Sequence, residues 1–254
     1  MKVSSLRIVS YSDNSEDVLL MRAFHDHPGG GFFVDVGAGD PTGGSVVKNL
    51  SDVLGWSGVH IEPNPVLADG LATAYPQDVV VCTAVGRSPG ELTYYHLPDT
   101  SGMSTLDPEI ARRHERLGHR VVPSRVPVRL LDEVLSEAGV PPGFDLLKID
   151  VEGWEEEVLA GARLERWLPR VILIEATEPN TPHRVGPGAE RIIRALGYEL
   201  AMFDGLNQFF VRPGEPELTA RLSVPANVFD RYLNYHWYRL LPEQDRPRVS
   251  YEPW

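Results

Sequence analysis

Phe32-Phe33-Val34-Asp35-Val36-Gly37-Ala38-Gly39-Asp40 is the stretch on which the reading of this chain turns. Its first five residues are apolar but for one carboxylate, as expected of a strand covered on both faces. Glycines at 37 and 39 allow a tight turn toward a helix and remove side chains that would hold a nucleoside away from it. In open α/β sheets, the carboxyl edge of a strand is where ligands bind. Outward from this turn, apolar runs at 58–61, 79–85, 144–149 and 171–174 alternate with helix-like segments at 46–54, 65–74, 130–138, 155–160 and 189–196. That order predicts one α/β domain with a mostly parallel sheet and helices on both faces. Asn64 and Pro65 supply a cap and a first turn for the second helix. Residues 198–203 and 208–212 flank Asp204-Gly205-Leu206-Asn207, a turn-rich tetrapeptide that predicts an antiparallel pair closing the sheet.

The chain has 254 residues, 42% of them hydrophobic, enough for one sizeable core. Its net charge is -12, and its Lys and Arg residues form no stripe that could neutralise a row of phosphates, so nucleic acid is excluded as a partner. Cys82, the single cysteine, falls inside the apolar run 79–85 and has no intramolecular partner, which fits a reducing compartment. Residues 1–17 are polar, and the longest apolar stretches fall short of the roughly 20 residues of a membrane span. A soluble cytoplasmic protein with no membrane partner is the expectation.

The acids decide which ligand the glycine turn receives. A dinucleotide fingerprint requires G-x-G-x-x-G, but Thr42 stands at the third glycine position, with Gly43 and Gly44 after it. Asp35 before the turn and Asp40 after it would repel a diphosphate and suit a ligand with an ammonium and a sulfonium, such as S-adenosylmethionine, held along Gly37, Ala38 and Gly39. Glu62, followed by Pro63 at the end of the next strand, is placed to accept both hydroxyls of a ribose, and Thr83 and Ala84 to flank an adenine. Within 91–128, Ser101-Gly102-Met103-Ser104-Thr105-Leu106 is small and flexible enough for backbone at Ser104 to approach a ligand. Lys148 and Asp150 put opposite charges at i and i+2 on an apolar strand, where Lys148 reads either as an ion pair orienting the strand end or as part of the chemistry. Glu175 ends the adjacent strand. With strands about 4.8 Å apart, Asp150 and Glu175 could converge on a Mg²⁺ that lowers the pKa of an alcohol. The rival is a general base, with His183 in the loop 178–187 as its candidate.

These residues resemble the FkbM methyltransferases, class I enzymes that methylate hydroxyls of natural products and glycans. The likeness runs over roughly 11–212, through Tyr11-Ser12 with Glu16-Asp17, the run 31–41, Gly55-Trp56-Ser57-Gly58 with Ile61-Glu62-Pro63, and Ser104-Thr105-Leu106-Asp107. It continues through 147–153, Ile174-Glu175-Ala176-Thr177 and Phe203-Asp204-Gly205-Leu206-Asn207. The resemblance implies a Rossmann-like sheet of seven strands with the last antiparallel, S-adenosylmethionine across the first two strands, and a small-molecule hydroxyl acceptor above the fourth and fifth. It makes Tyr11 and Ser12 a lid or methionine-end contact within an N-terminal lid segment of about residues 1–30. Related metal-dependent O-methyltransferases usually carry a third ligand right after the second acid, where this chain has Ala176. Asp13-Asn14-Ser15 stands where relatives commonly show a Gln-x-Gly-like stretch.

The methyltransferase domain is thus expected over 1–213. The tail 214–254 spaces Phe229, Tyr232, Tyr235, Trp237 and Tyr238 as on an aromatic helix face, packing on the domain or at a homodimer contact. Two other functional classes stay open: an NAD(P)-dependent oxidoreductase on a similar sheet, and a non-catalytic cofactor-binding protein that acts by interaction.

Overall fold

Strands that are apolar at every position must be covered on both faces, and the alternate residues of the runs above divide between two cores. The computed structural model describes residues 5–100, 102–178, 181–251 and 254; Ser101 and residues 179 and 180 of the His183 loop lie outside them. Counted in chain order within the central sheet, the strands are β1 Phe32–Val36, β2 Ser57–Ile61, β3 Val79–Val81, β4 Leu146–Ile149, β5 Val171–Glu175, β6 Glu199–Phe203 and β7 Asn207–Val211. They lie in the order β6-β7-β5-β4-β1-β2-β3. β7 runs antiparallel between β5 and β6, as the turn-rich tetrapeptide predicts, and β1 to β5 are parallel.

Val34, Val36, Leu147, Ile149, Ile172 and Ile174 pack on one face with Leu131, Val158 and Trp167. Phe33, Leu146, Leu173 and Phe209 pack on the other beneath the helices Glu16–Phe24 and Lys48–Leu54. Each such side chain, fully buried, stabilises the fold by about 1.5–3 kcal/mol. The helix Glu16–Phe24 falls where the sequence suggests a polar lid. Its two leading acids suit a helix N-terminus, and Val18, Leu19, Leu20, Met21, Ala23 and Phe24 are all buried. Asp17 anchors what precedes it: its carboxylate accepts from the hydroxyls of Ser10 and Ser12, the amide of Tyr11 and the side-chain amide of Asn49.

Three expectations are corrected. The run 79–85 is not one strand. Thr83 donates its hydroxyl to the carbonyls of Ala84 and Pro127, the chain leaves the sheet there, and Ala84–Val85 pairs with Val122–Arg129 instead. Cys82, at this break, is exposed rather than part of a buried run. The segment 91–128, read as a loop, holds the antiparallel pair Gly90–His96 and Val122–Arg129 with the helix Pro108–Arg116 between them. The aromatic tail is not a single helix. Tyr232–Asn234 is a strand parallel to Ile8–Ser10, Tyr235–Leu240 is a helix capped by Asn234, and Phe229 and Trp237 are 83% and 62% exposed. Among the described residues, no helix is long and apolar enough to cross a membrane.

Glu16 gives this fold a pH dependence. Its carboxylate accepts from the side-chain amide of Asn207 and the backbone of Asn14, but burial dominates and pushes its pKa up from 4.5 to about 7. With the folded value above the unfolded one, Glu16's contribution to stability is complete below pH 4.5 and lost as pH rises through 7. In urea unfolding, wild type should lose up to about 3 kcal/mol between pH 4.5 and pH 8 through this group, and Glu16→Gln should flatten that slope. An unchanged slope would remove Glu16 as the cause.

Candidate active site

Parallel register fixes the floor of the site. Asp35 on β1 lies directly between Lys148 on β4 and His60 on β2, so the three side chains form one row on one face. All three are buried. Lys148 donates from Nζ to the Gly37 carbonyl at 2.7 Å and lies 3.2 Å from Asp35 Oδ1 and 3.6 Å from Asp150 Oδ2. Burial alone would lower its pKa, but Asp35 and then Asp150 outweigh it and hold the ammonium above its ordinary value. Lys148 is therefore a charged strut between β4 and the β1 turn. Asp35, expected to meet the ligand, lies beneath the turn with its carboxylate paired to Lys148, and it is not among the residues lining the cleft.

The turn itself needs glycine for two different reasons. At Gly37, φ is +76° and a Cβ would lie 1.9 Å from the carbonyl oxygen of Asp150. The β1 turn thus presses on the end of β4. At Gly39, φ is +63° with nothing within 4 Å of an added Cβ, so this residue faces open space.

That space is a cleft of about 470 Å³ over the carboxyl edge of β1, β2 and β4, within the range of small-ligand sites. Gly37, Ala38, Gly39 and Asp40 form one wall, Glu62, Pro63, Thr83 and Ala84 the next, with Ser104 above and Lys148 and Asp150 at the far end. Glu62 is 4% exposed, and one oxygen accepts from Gly39 N at 3.0 Å while the other accepts from Asn64 N at 2.8 Å. Burial raises its pKa against these bonds. Asp40 closes its own turn by accepting from the amides of Thr42 and Gly43. Tyr11 and Ser12 are not among the residues lining the cleft. Ser12 is fully buried on Asp17, and Tyr11 lies against the ring of Tyr235 at 5.0 Å. Their neighbour Asp13 is the wall residue. Ser15 has φ of +66°, the left-handed conformation that glycine adopts most readily.

Sequence reasoning also passed over Tyr94, His96 and Trp154, which reach the cleft from beyond the predicted strands. His96 Nδ1 lies 3.2 Å from Ser104 Oγ and 3.3 Å from Asn64 Nδ2. These residues sit on the pair and loops that the sequence left as irregular.

Asp150, Glu152 and Glu175 bring carboxylate oxygens within 4.8 Å of one another. Asp150 and Glu175 meet because β4 and β5 are in register up to Ile149 and Ile174. Glu152 joins them through a left-handed residue, φ +54°, just past the strand end. Continuing the alternation from Lys148 to Asp150 by two more residues would have found it. Glu175 is 8% exposed, and its Oε2 has no hydrogen-bond partner among the described residues. Burial, then Asp150, raises the pKa of both Glu152 and Glu175. His183 is not brought to this place: it is exposed, and among the described residues only its backbone is engaged, with Glu178 and Thr181.

Residues 35–211 match the family described as the Methyltransferase FkbM domain. The methyltransferase sdnD of Sordaria araneosa is 32% identical over 160 residues, which are 54% of this chain and 58% of that protein, so the chain spans little more than half the length of this relative. Among solved structures, the methyltransferase FkbM of Methylobacillus flagellatus KT aligns with a TM-score of 0.45 and 16% identity over 71% of this chain and 43% of that one. A TehB-like SAM-dependent methyltransferase of Corynebacterium glutamicum ATCC 13032 Kitasato aligns with a TM-score of 0.41 and 16% identity over 78% of this chain and 86% of that one.

The two glycines should respond differently to an added methyl. Gly37→Ala should destabilise by more than about 3 kcal/mol, combining a left-handed residue with a backbone clash, and Gly39→Ala by about 1 kcal/mol. Equal losses in urea unfolding would refute the distinction. Asp35→Ala should cost about 3–5 kcal/mol, because it leaves the buried Lys148 ammonium short of its partner.

Proposed function

The chain belongs to the FkbM methyltransferase family, and we propose that it transfers the methyl group of S-adenosylmethionine to a hydroxyl of a small molecule, a sugar or natural-product scaffold. The charge of the cleft carries this reading. Its wall holds Asp13, Asp40, Glu62, Asp150 and Glu152, and the one Lys or Arg among the described wall residues, Lys148, is already engaged by Gly37, Asp35 and Asp150. A diphosphate would meet carboxylates without compensation, whereas a nucleoside bearing an ammonium and a sulfonium is attracted. The order of the strands suits a class I methyltransferase sheet as well, with the ligand over the edge of β1 and β2.

In this reading Glu62 is the ribose anchor. Its two backbone bonds fix the carboxylate and leave a further lone pair on each oxygen for a ribose hydroxyl. Pro63, Thr83 and Ala84 flank the adenine. The acceptor enters above β4 and β5, and the site holds its oxygen about 3–3.5 Å from the sulfonium methyl, the positioning that supplies most of the rate in such a displacement. Asp150 stands closest to that line, restrained by Lys148 at 3.6 Å.

Asp150, Glu152 and Glu175 suit a hard divalent cation such as Mg²⁺: all donors are carboxylate oxygens, and the buried Glu175 Oε2 lacks any other partner. Bound there, Mg²⁺ would act as a Lewis acid that makes the acceptor hydroxyl easier to deprotonate. An oxidoreductase is disfavoured by the missing third glycine and by the acidic wall. A protein without chemistry is disfavoured by the unpartnered Glu175 oxygen, a cost to stability that binding alone does not require.

Calorimetry tests both parts. S-adenosylmethionine should bind and NADH should not; tight NADH binding with no response to S-adenosylmethionine overturns the assignment. Mn²⁺, followed by its paramagnetic resonance signal, should bind the wild type, and Glu175→Gln should weaken it about tenfold or more. Equal Mn²⁺ binding by both proteins rejects the cation site and leaves the methyl-transfer reading standing.

A further inference from the structure

Two parts of the chain lie outside the matched residues 35–211, and they are built on each other. Ser5–Leu6 pairs in parallel with Arg248–Val249, and Ile8–Ser10 with Tyr232–Asn234. Ring and ion contacts close the unit: Arg7 lies over Trp254, Trp254 donates to Asp230, and Arg22 pairs with Asp230 at 3.2 Å. The unit ends where the cleft begins. Asn234 donates from Nδ2 to the Ser12 carbonyl at 3.2 Å, Tyr235 lies against Tyr11, and the Tyr11 carbonyl accepts from Gly44 N at 2.9 Å. The residue on either side of these restraints is therefore fixed in place, and the next one along is Asp13.

Asp13 lines the cleft beside Gly44: its Oδ2 would lie 3.5 Å from a Cβ built on that residue. Asp40 Oδ1 lies 3.8 Å from a Cβ built on Gly43, so two carboxylates approach one short stretch of backbone from two sides. Asp40 is occupied by its own turn. No hydrogen bond or ion pair engages the Asp13 carboxylate among the described residues. It has charge to offer and no protein partner for it.

We infer that Asp13 binds the α-ammonium of the methyl donor's amino-acid end, and that Asn234 and Tyr235 of the tail are positioning residues that hold Asp13 on the cleft wall beside Gly44. This rests on the reading of the cleft as an S-adenosylmethionine site. The sulfonium belongs further along, toward Asp150 and the acceptor, so the two positive centres of the donor are met by different acids. Burial among the cleft walls, followed by the charge of Asp150, raises the pKa of Asp13, as expected of an acid whose cation is the ligand itself.

Three nucleosides separate the parts of this claim. S-adenosylhomocysteine keeps the ammonium and loses the sulfonium charge, while methylthioadenosine lacks the amino-acid end altogether. By calorimetry, Asp13→Asn should weaken S-adenosylmethionine and S-adenosylhomocysteine alike, about tenfold or more, and leave methylthioadenosine unchanged. Asn234→Ala and Tyr235→Ala should give the same pattern with smaller losses, and Asn234→Ala should add little on top of Asp13→Asn. Tyr235→Phe should restore binding, since the contact is between rings. A loss confined to S-adenosylmethionine would assign Asp13 to the sulfonium and overturn the inference, as would equal losses for all three nucleosides or none. A wild type that binds none of them overturns the donor reading itself.

Discussion

One ammonium sets the shape of the cleft. Lys148 reaches from β4 to the carbonyl of Gly37 and to the carboxylate of Asp35, joining the middle strand to the turn of its neighbour. A buried charge of this kind is tolerated only with full compensation, and here every oxygen around it comes from the ligand-binding edge. The pair also explains the glycine. With Gly37 drawn against the Asp150 carbonyl, the backbone of β1 and the end of β4 share a space that no side chain can enter. Asp150 is thereby aimed, and the acids that follow it inherit their positions.

The fold was largely readable because its central strands are apolar but for single polar residues, and because two of its helices begin with a capping residue followed by proline. Asn64 with Pro65 starts its helix as the residues suggest, and the antiparallel β7 follows from a turn-rich tetrapeptide. The grouping of Gly37, Gly39, Glu62 and Thr83 around one cleft was legible for a related reason: they lie at or just beyond strand ends, where one-dimensional pattern and three-dimensional place coincide. What escaped depends on long-range contact. Asp35 looks like a ligand acid until register sets it beside Lys148. His96 and Tyr94 reach the cleft only because Gly90–His96 folds back on Val122–Arg129, a pairing of polar, exposed strands with weak alternation. The helix Glu16–Phe24 was hidden by its acidic start, although the apolar residues behind it are as buried as any in the core.

Acids gather at this edge for a structural reason as much as a chemical one. A parallel strand end leaves backbone amides pointing toward the ligand side, and Glu62 and Glu155 each use such amides to remain in place. Glu175 has no such support and is held only by its surroundings. The difference separates acids fixed by the fold, such as Glu62 and Glu155, from those left for whatever enters, Glu175 and Asp13.

The pairing of Ile8–Ser10 with Tyr232–Asn234 joins residues more than two hundred positions apart, as the 222-residue span of the Asn234 to Ser12 bond shows. Closing so long a loop carries a large entropic cost, and it gains little until the sheet beneath has formed. The strand pair is thus a late addition in contact terms: losing it would open one side of the cleft at Asp13 while the sheet beneath kept its own pairings.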